Sequence, residues 1–223
     1  CISGKDSMKN DATLDGEKIS VPPTILFSLV GNHSDVRKAV SSDFKKKGDS
    51  IYLLGETHQE LGASELAFML RDEGQGGIGG SVPAIDPSRN LAMYRALTGA
   101  MRKSLVSSAH DCSDGGLAVA LAECCFGADS GATVELDSIL RGSEALDKWG
   151  ALFGESLGRI LVSVKEESRE EFEVAMTGHA CHHLGTVIEG DEITFSNNGE
   201  EMLVTSMSEA RSAWKKALDG GGA

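Results

Sequence analysis

Ala109-His110-Asp111-Cys112-Ser113-Asp114-Gly115-Gly116-Leu117-Ala118-Val119-Ala120-Leu121-Ala122-Glu123 decides how this chain folds. Val106 to Ala109 reads as a short strand. Two acids and a hydroxyl then sit on a tight turn. A glycine pair follows, and an apolar, alanine-rich helix starts at once. A strand-to-helix turn aims backbone N–H groups and the positive helix end at any anion above it. Asp111 and Asp114 add negative charge there, which suits a phosphate only if a divalent cation arrives with it. Mg2+ held between carboxylate and phosphate oxygens is the usual arrangement. The plainer account is a capped helix, with Ser113 or Asp114 as its N-cap and Gly116 as a packing glycine.

Outward from that stretch, strands and helices alternate. Thr24–Val30 and Ser50–Leu54 read as strands, and Ser64–Arg71 as a helix. Asp72–Pro83 is glycine-rich and reads as a mobile loop: it lacks the Lys-Ser/Thr ending and spacing of a phosphate loop. Pro87 opens a helix reaching about Leu105, with Leu91, Tyr94, Leu97, Thr98 and Met101 on one stripe. Gly131–Leu136 is a strand and Ser143–Ala151 is helical. Arg159–Val164 is a strand, and Arg169–Thr177 is a helix. His183–Ile188 and Glu192–Ser196 suggest a hairpin around Glu189-Gly190-Asp191. Met202–Thr205 is a short strand, and Ser208–Leu218 a closing helix. The expected fold class is α/β (α+β), a mixed sheet flanked by helices.

The 223 residues can bury a substantial core. Thirty-four acidic against 21 basic residues give a net charge of −13, which argues against a nucleic-acid or anionic membrane surface as partner. No apolar run approaches the ~20 residues of a membrane span, and no signal-peptide pattern opens the chain. Five cysteines without framework spacing fit reduced thiols and a cytoplasmic location. Cys124-Cys125 reads as core. Cys181-His182-His183 does not make a zinc site, because three adjacent ligands cannot all turn to one ion.

His-Asp-x-Ser-Asp-Gly-Gly-Leu at 110–117, with its alanine-rich helix, resembles the signature of formylglycinamidine ribonucleotide (FGAM) synthetase in its AIR-synthetase-type C-terminal domain. Ile2-Ser3-Gly4-Lys5-Asp6-Ser7-Met8 resembles the loop ending that family's preceding ATP-binding domain. Tyr52–Thr57 with Glu60–Glu65, and Phe153–Val162, resemble two further family segments in the right order. The resemblance runs to about Val164.

It implies a remnant of the ATP-binding domain plus linker at 1–21, an AIR-synthetase C-terminal-like domain at 22–218 and a tail at 219–223. The start in mid-motif suggests a piece of a longer protein. The implied activity is ATP-dependent ligation: formylglycinamide ribonucleotide and glutamine-derived ammonia become the amidine through an iminophosphate. The implied cofactors are Mg2+ and ATP/ADP. The implied partners are the rest of the synthetase chain and a glutaminase domain or subunit, and an exposed face would favour a homodimer. This segment alone is expected to be inactive.

Carried over by motif, Gly4 and Ser113 contact nucleotide, Ser7 contacts substrate, and Asp111 meets the metal. Lys5 stands where small-subunit members commonly have Asn, and a charged lysine cannot ligate a metal. Asp114 would cap the helix, and His110 reads as structural. Glu56 and Glu155, each after a glycine, would line the cleft, with Arg159 pairing one of them or a phosphate. Two alternatives are a module that holds nucleotide only for structure, and an aminoimidazole ribonucleotide synthetase. The signature turn argues against the second.

Overall fold

The computed structural model describes residues 3–7, 11–20, 24–76, 79–141 and 145–216. The chain divides into two compact units, residues 1–39 and 40–223.

The first unit holds two small antiparallel pairs. β1 (Ser3–Ser7) pairs with β4 (Thr24–Ser28), with Ser3 opposite Ser28. β2 (Ala12–Leu14) pairs with β3 (Glu17–Ile19) around Asp15-Gly16, both at positive φ as a tight hairpin turn requires. The Gly4–Ser7 stretch is thus strand, not surface loop. The strand at 24–28, expected to open the larger domain, instead completes this unit's sheet.

The second unit is a seven-stranded mixed sheet with helices on both faces. Its strands are β5 (Ser50–Leu54), β6 (Ser108–Asp111), β7 (Gly131–Glu135), β8 (Ile160–Val164), β9 (Cys181–Ile188), β10 (Glu192–Asn197) and β11 (Glu200–Ser206). They lie in the order β11-β10-β7-β9-β5-β8-β6, and only β10 and β7 run parallel. The helices are α1 (Glu65–Asp72), α2 (Pro87–Arg102), α3 (Gly116–Phe126), α4 (Asp137–Leu140), α5 (Lys148–Phe153), α6 (Arg169–Ala175) and α7 (Met207–Lys216). The expected mixed sheet flanked by helices is what forms.

β5 explains the layering. All five of its residues are buried, so no polar alternation shows in its sequence. Ile51 and Leu53 point into a core shared with α3, α4, α5 and α7, whereas Tyr52 and Leu54 join α2 and α6 on the other face. Each such leucine contributes roughly 1.5–3 kcal/mol of burial. Helix α3 is apolar all round because it is covered on several sides, by α5, α7 and the sheet. Cys124 and Cys125 are part of that core, as expected.

Three expectations change. The stripe that α2 buries is Met93, Leu97 and Ala100, and Leu91 is half exposed. The buried face is thus rotated from the expected stripe, with Leu97 common to both. Of the helix expected over 143–151, the described residues hold only α5, which starts at Lys148, with 142–144 outside the described residues. The hairpin expected of β9 and β10 does not form, because β7 lies between them. The hairpin that does form joins β10 to β11 around Asn198-Gly199, both at positive φ, a turn signal the sequence carries in plain view.

Candidate functional site

The signature turn begins two residues later than the sequence suggested. β6 runs Ser108–Asp111, with Asp111 opposite Ile160 and His110 opposite Leu161 on β8. A 2.6 Å hydrogen bond between the Ser108 and Ser163 hydroxyls pins this register. The Cys112 amide, donating to the Arg159 carbonyl at 3.1 Å, carries the pairing past the strand end. Although side chains alternate along a strand, the His110 ring stays close to Asp111, with its Nδ1 3.7 Å from a carboxylate oxygen.

His110 faces Glu123 of α3, with its Nε2 3.3 Å from a Glu123 carboxylate oxygen, and its Nδ1 lies 2.6 Å from the Asp111 carbonyl. Both partners are acceptors, so a neutral ring donates to one of them, and this lodging against α3 is consistent with the structural role expected of His110. Asp111 points outward with its side chain 73% exposed. The Ser113 hydroxyl donates to its Oδ2, and that bond holds the carboxyl below the usual range. Asp111 and Ser113 therefore form one polar unit that stays ionised near neutrality.

This unit lines a cavity of about 300 Å³ together with Asp114, Glu155, Tyr94 and Leu157. The expected capping role of Asp114 is not seen. The N-cap of α3 is Gly115 at φ +76, with no side-chain cap bond. Gly116 follows at φ +67, and the two left-handed residues turn the chain so that Asp114 lines the cavity. Gly116 is the packing glycine: a Cβ there would lie 2.5 Å from the Gly154 carbonyl oxygen.

Glu155 is the residue whose importance the sequence understated. Its Oε1 accepts from the Gly115 amide at the start of α3 and from the Glu65 amide at the start of α1, both at 2.9 Å. One carboxylate thus serves two helix N-termini, where negative charge is favoured. Glu155 comes from a backbone corner held by Arg159, which is 1% exposed. The Arg159 guanidinium donates to the Gly154 and Ser156 carbonyls on either side and to the Thr57 hydroxyl. Burial lowers its pKa while Glu60 and Glu155 raise it. Among the described residues Arg159 makes no ion pair with Glu56 or Glu155, the first of the two partnerships expected of it. Glu56 pairs with Arg89 at 3.1 Å instead.

No group of three or more His, Cys, Asp or Glu side chains among the described residues is placed to hold a metal by itself. The hard oxygens of Asp111 and Ser113 suit Mg2+, which commonly takes one or two protein ligands and completes its shell with phosphate and water. Cys112 also borders the cavity, but burial pushes its thiol up to about 11, so it is no nucleophile at neutral pH. Gly4 and Ser7 lie in the first unit on β1, and the side chains of that strand are outside the described residues.

The family described as AIR synthase related protein, C-terminal domain, matches residues 46–219. Thermotoga maritima PurL complexed with FGAR superposes with a TM-score of 0.67 at 21% identity, over 78% of this chain and 30% of that one. The same organism's PurL complexed with ADP gives 0.62 at 19%, over 78% and 27%. The hydrogenase maturation protein HypE in complex with ATP gives 0.53 at 16%, over 77% and 54%. The chain spans under a third of the length of these PurL structures. At such identities the likeness establishes a shared fold.

Proposed function

Since the chain belongs to the AIR synthase related family by its C-terminal domain, we propose that it is the C-terminal segment of an FGAM synthetase. The whole enzyme would join formylglycinamide ribonucleotide and glutamine-derived ammonia at the expense of ATP. The observation that carries the reading is the Asp111–Ser113 pair, ionised and exposed at the mouth of the strand-to-helix cavity. It supplies what a Mg2+–nucleotide phosphate needs. The PurL structures bearing ADP and FGAR support that ligand class.

In this reading Asp111 and Ser113 hold the cation and Ser113 also meets the phosphate. Gly4 and Ser7 contact nucleotide and substrate, and the remainder of the synthetase and a glutaminase complete the enzyme. The cation, when bound, neutralises phosphate charge. The chain's own contribution is to fix the carboxylate and hydroxyl on a rigid strand end. Residues 1–21 then come from the preceding domain, with β4 from beyond that boundary completing the sheet of β1, and this segment alone does not turn substrate over.

A second reading, nucleotide held for structure, draws on what the cavity lacks. His110 is committed to Glu123, and Cys112 stays protonated. No proton acceptor other than carboxylates borders the cavity among the described residues.

Calorimetry of ADP and ATP binding, with and without Mg2+, tests the proposal on the wild type and Asp111→Asn. Mg2+-dependent binding that the variant loses is the expected result. A folded wild type that binds neither nucleotide would refute a site within this segment. ATP hydrolysis in the same samples separates the two readings.

A further inference from the structure

The β10–β11 hairpin turns on Asn198-Gly199, the two residues between Asn197 and Glu200. Their φ values, +50 and +79, are ones an Asn-Gly pair adopts readily. The same pair has a chemical weakness. The backbone nitrogen after an asparagine can attack its carboxamide, and glycine has no side chain to obstruct the approach. A bond forms from the Gly199 nitrogen to Asn198 Cγ, the Cγ–Nδ2 bond breaks, and ammonia leaves with the proton shed by the Gly199 nitrogen. Water then opens the cyclic imide to aspartate or isoaspartate.

In the folded hairpin each group in that step has another partner. The Gly199 N–H donates to Glu135 Oε2 at 3.2 Å. Arg141 donates to Asn198 Oδ1 at 3.5 Å, and Asn198 Nδ2 donates to Asn197 Oδ1 at 3.2 Å. Glu135 stands on the neighbouring β7, where the Ser196 hydroxyl donates to the same Oε2 at 3.0 Å. Its Oε1 is buried with no hydrogen-bond partner among the described residues, so the carboxylate relies on Ser196 and Gly199. Ring closure must bring the Asn198 carboxamide onto the Gly199 nitrogen, and so needs the turn to give up these contacts.

We propose that Asn198 is a self-modification site: it deamidates when the β10–β11 hairpin opens, and Glu135 holds it unreacted while the hairpin is closed. The change runs one way. Isoaspartate carries the main chain through its side-chain carbon and lengthens a tight turn, and either product sets a new carboxylate beside Glu135. β11 is an edge strand with β10 as its only neighbour in the sheet, and Met202 and Leu203 pack against the core. A hairpin that has opened and reacted therefore recloses less firmly and covers that core less well.

The test ages the whole chain in neutral buffer and follows imide, aspartate and isoaspartate at position 198 by peptide mass mapping, with circular dichroism to check the fold. Folded wild type should react slowly and urea-unfolded chain quickly. Glu135→Ala should react about tenfold faster than wild type, the order of shift expected on losing a hydrogen bond to a charged acceptor, with Glu135→Gln between them. A folded Glu135→Ala that ages at the wild-type rate overturns the inference. So does a folded wild type that reacts as fast as the unfolded chain, or an unfolded chain that leaves Asn198 intact.

Should Glu135→Ala fail to fold, wild type supplies the second arm. Hydrogen exchange at the Gly199 amide and the rate of deamidation should rise in parallel in sub-denaturing urea, because one local opening controls both. A deamidation rate that stays flat while exchange climbs overturns the inference.

Discussion

Replacing Gly116 with alanine tests whether backbone contact, and not just turn geometry, sets the signature turn against α5. The residue has φ +67, and its Cβ would lie 2.5 Å from the Gly154 oxygen, 2.9 Å from the Phe153 carbonyl carbon and 3.0 Å from the Leu152 oxygen. All three are main-chain atoms, so no side chain can turn aside. The left-handed conformation costs an alanine about 1–2 kcal/mol. Displacing the end of α5 adds overpacking of about 1–3 kcal/mol.

The sum, roughly 2–5 kcal/mol, is a large part of the about 5–15 kcal/mol that holds a domain folded. Gly178→Ala isolates the first contribution: its φ is +86 and nothing lies within 4 Å of its Cβ position. Gly115→Ala falls between them, because its obstruction is the Val119 side chain, 2.4 Å away at Cγ2. Urea unfolding followed by circular dichroism should rank the losses Gly178, Gly115, Gly116. A Gly116→Ala loss within about 0.5 kcal/mol of Gly178→Ala would refute the packing argument.

Two further predictions concern acid. His183 lies edge-on to Tyr52 at 5.0 Å, its Nε2 is buried with no hydrogen-bond partner among the described residues, and burial lowers its pKa. A lowered pKa means the unfolded chain takes up the proton first, so stability is full above the ordinary histidine range and falls as pH drops below about 6.5. Urea midpoints between pH 8 and 5 should show that slope in wild type and a shallower one in His183→Phe. Asp111 is held low mainly by Ser113, so Ser113→Ala should move its titration upward, as carboxyl chemical shifts would record. An unmoved titration would show that the hydroxyl does not hold the carboxylate.

What the sequence disclosed was mostly local. The starts of α1 near Ser64 and of α2 at Pro87 were legible, and the structure adds the caps there, Ser64 and Asp86 accepting backbone N–H bonds. The apolar run Ile51–Leu54 of β5 and the core cysteines were also visible. What escaped was set by distant partners. The Glu155 carboxylate serves helices that start 90 and 40 residues away in sequence, and no local pattern announces that. Asp114 loses its expected cap for the same reason. The β6 register depends on Ser163, and the stripe of α2 on what the sheet offers it. The chemistry at Asp111 was legible as a residue type, whereas its surroundings were not.

The placement of β7 bears on how the chain reaches this fold. β9 and β10 are joined by a three-residue connection around Gly190, the length that ordinarily zips into a hairpin. Natively they are held apart by β7, which comes some 50 residues earlier. A β9–β10 hairpin formed on the about 1–10 μs scale of such turns would have to open before the sheet closes. A ribosome releases β7 before either neighbour exists, so newly made chain has the central strand in hand. Chain diluted from denaturant has all three at once, so any early β9–β10 contact would have to part for β7 to enter between them.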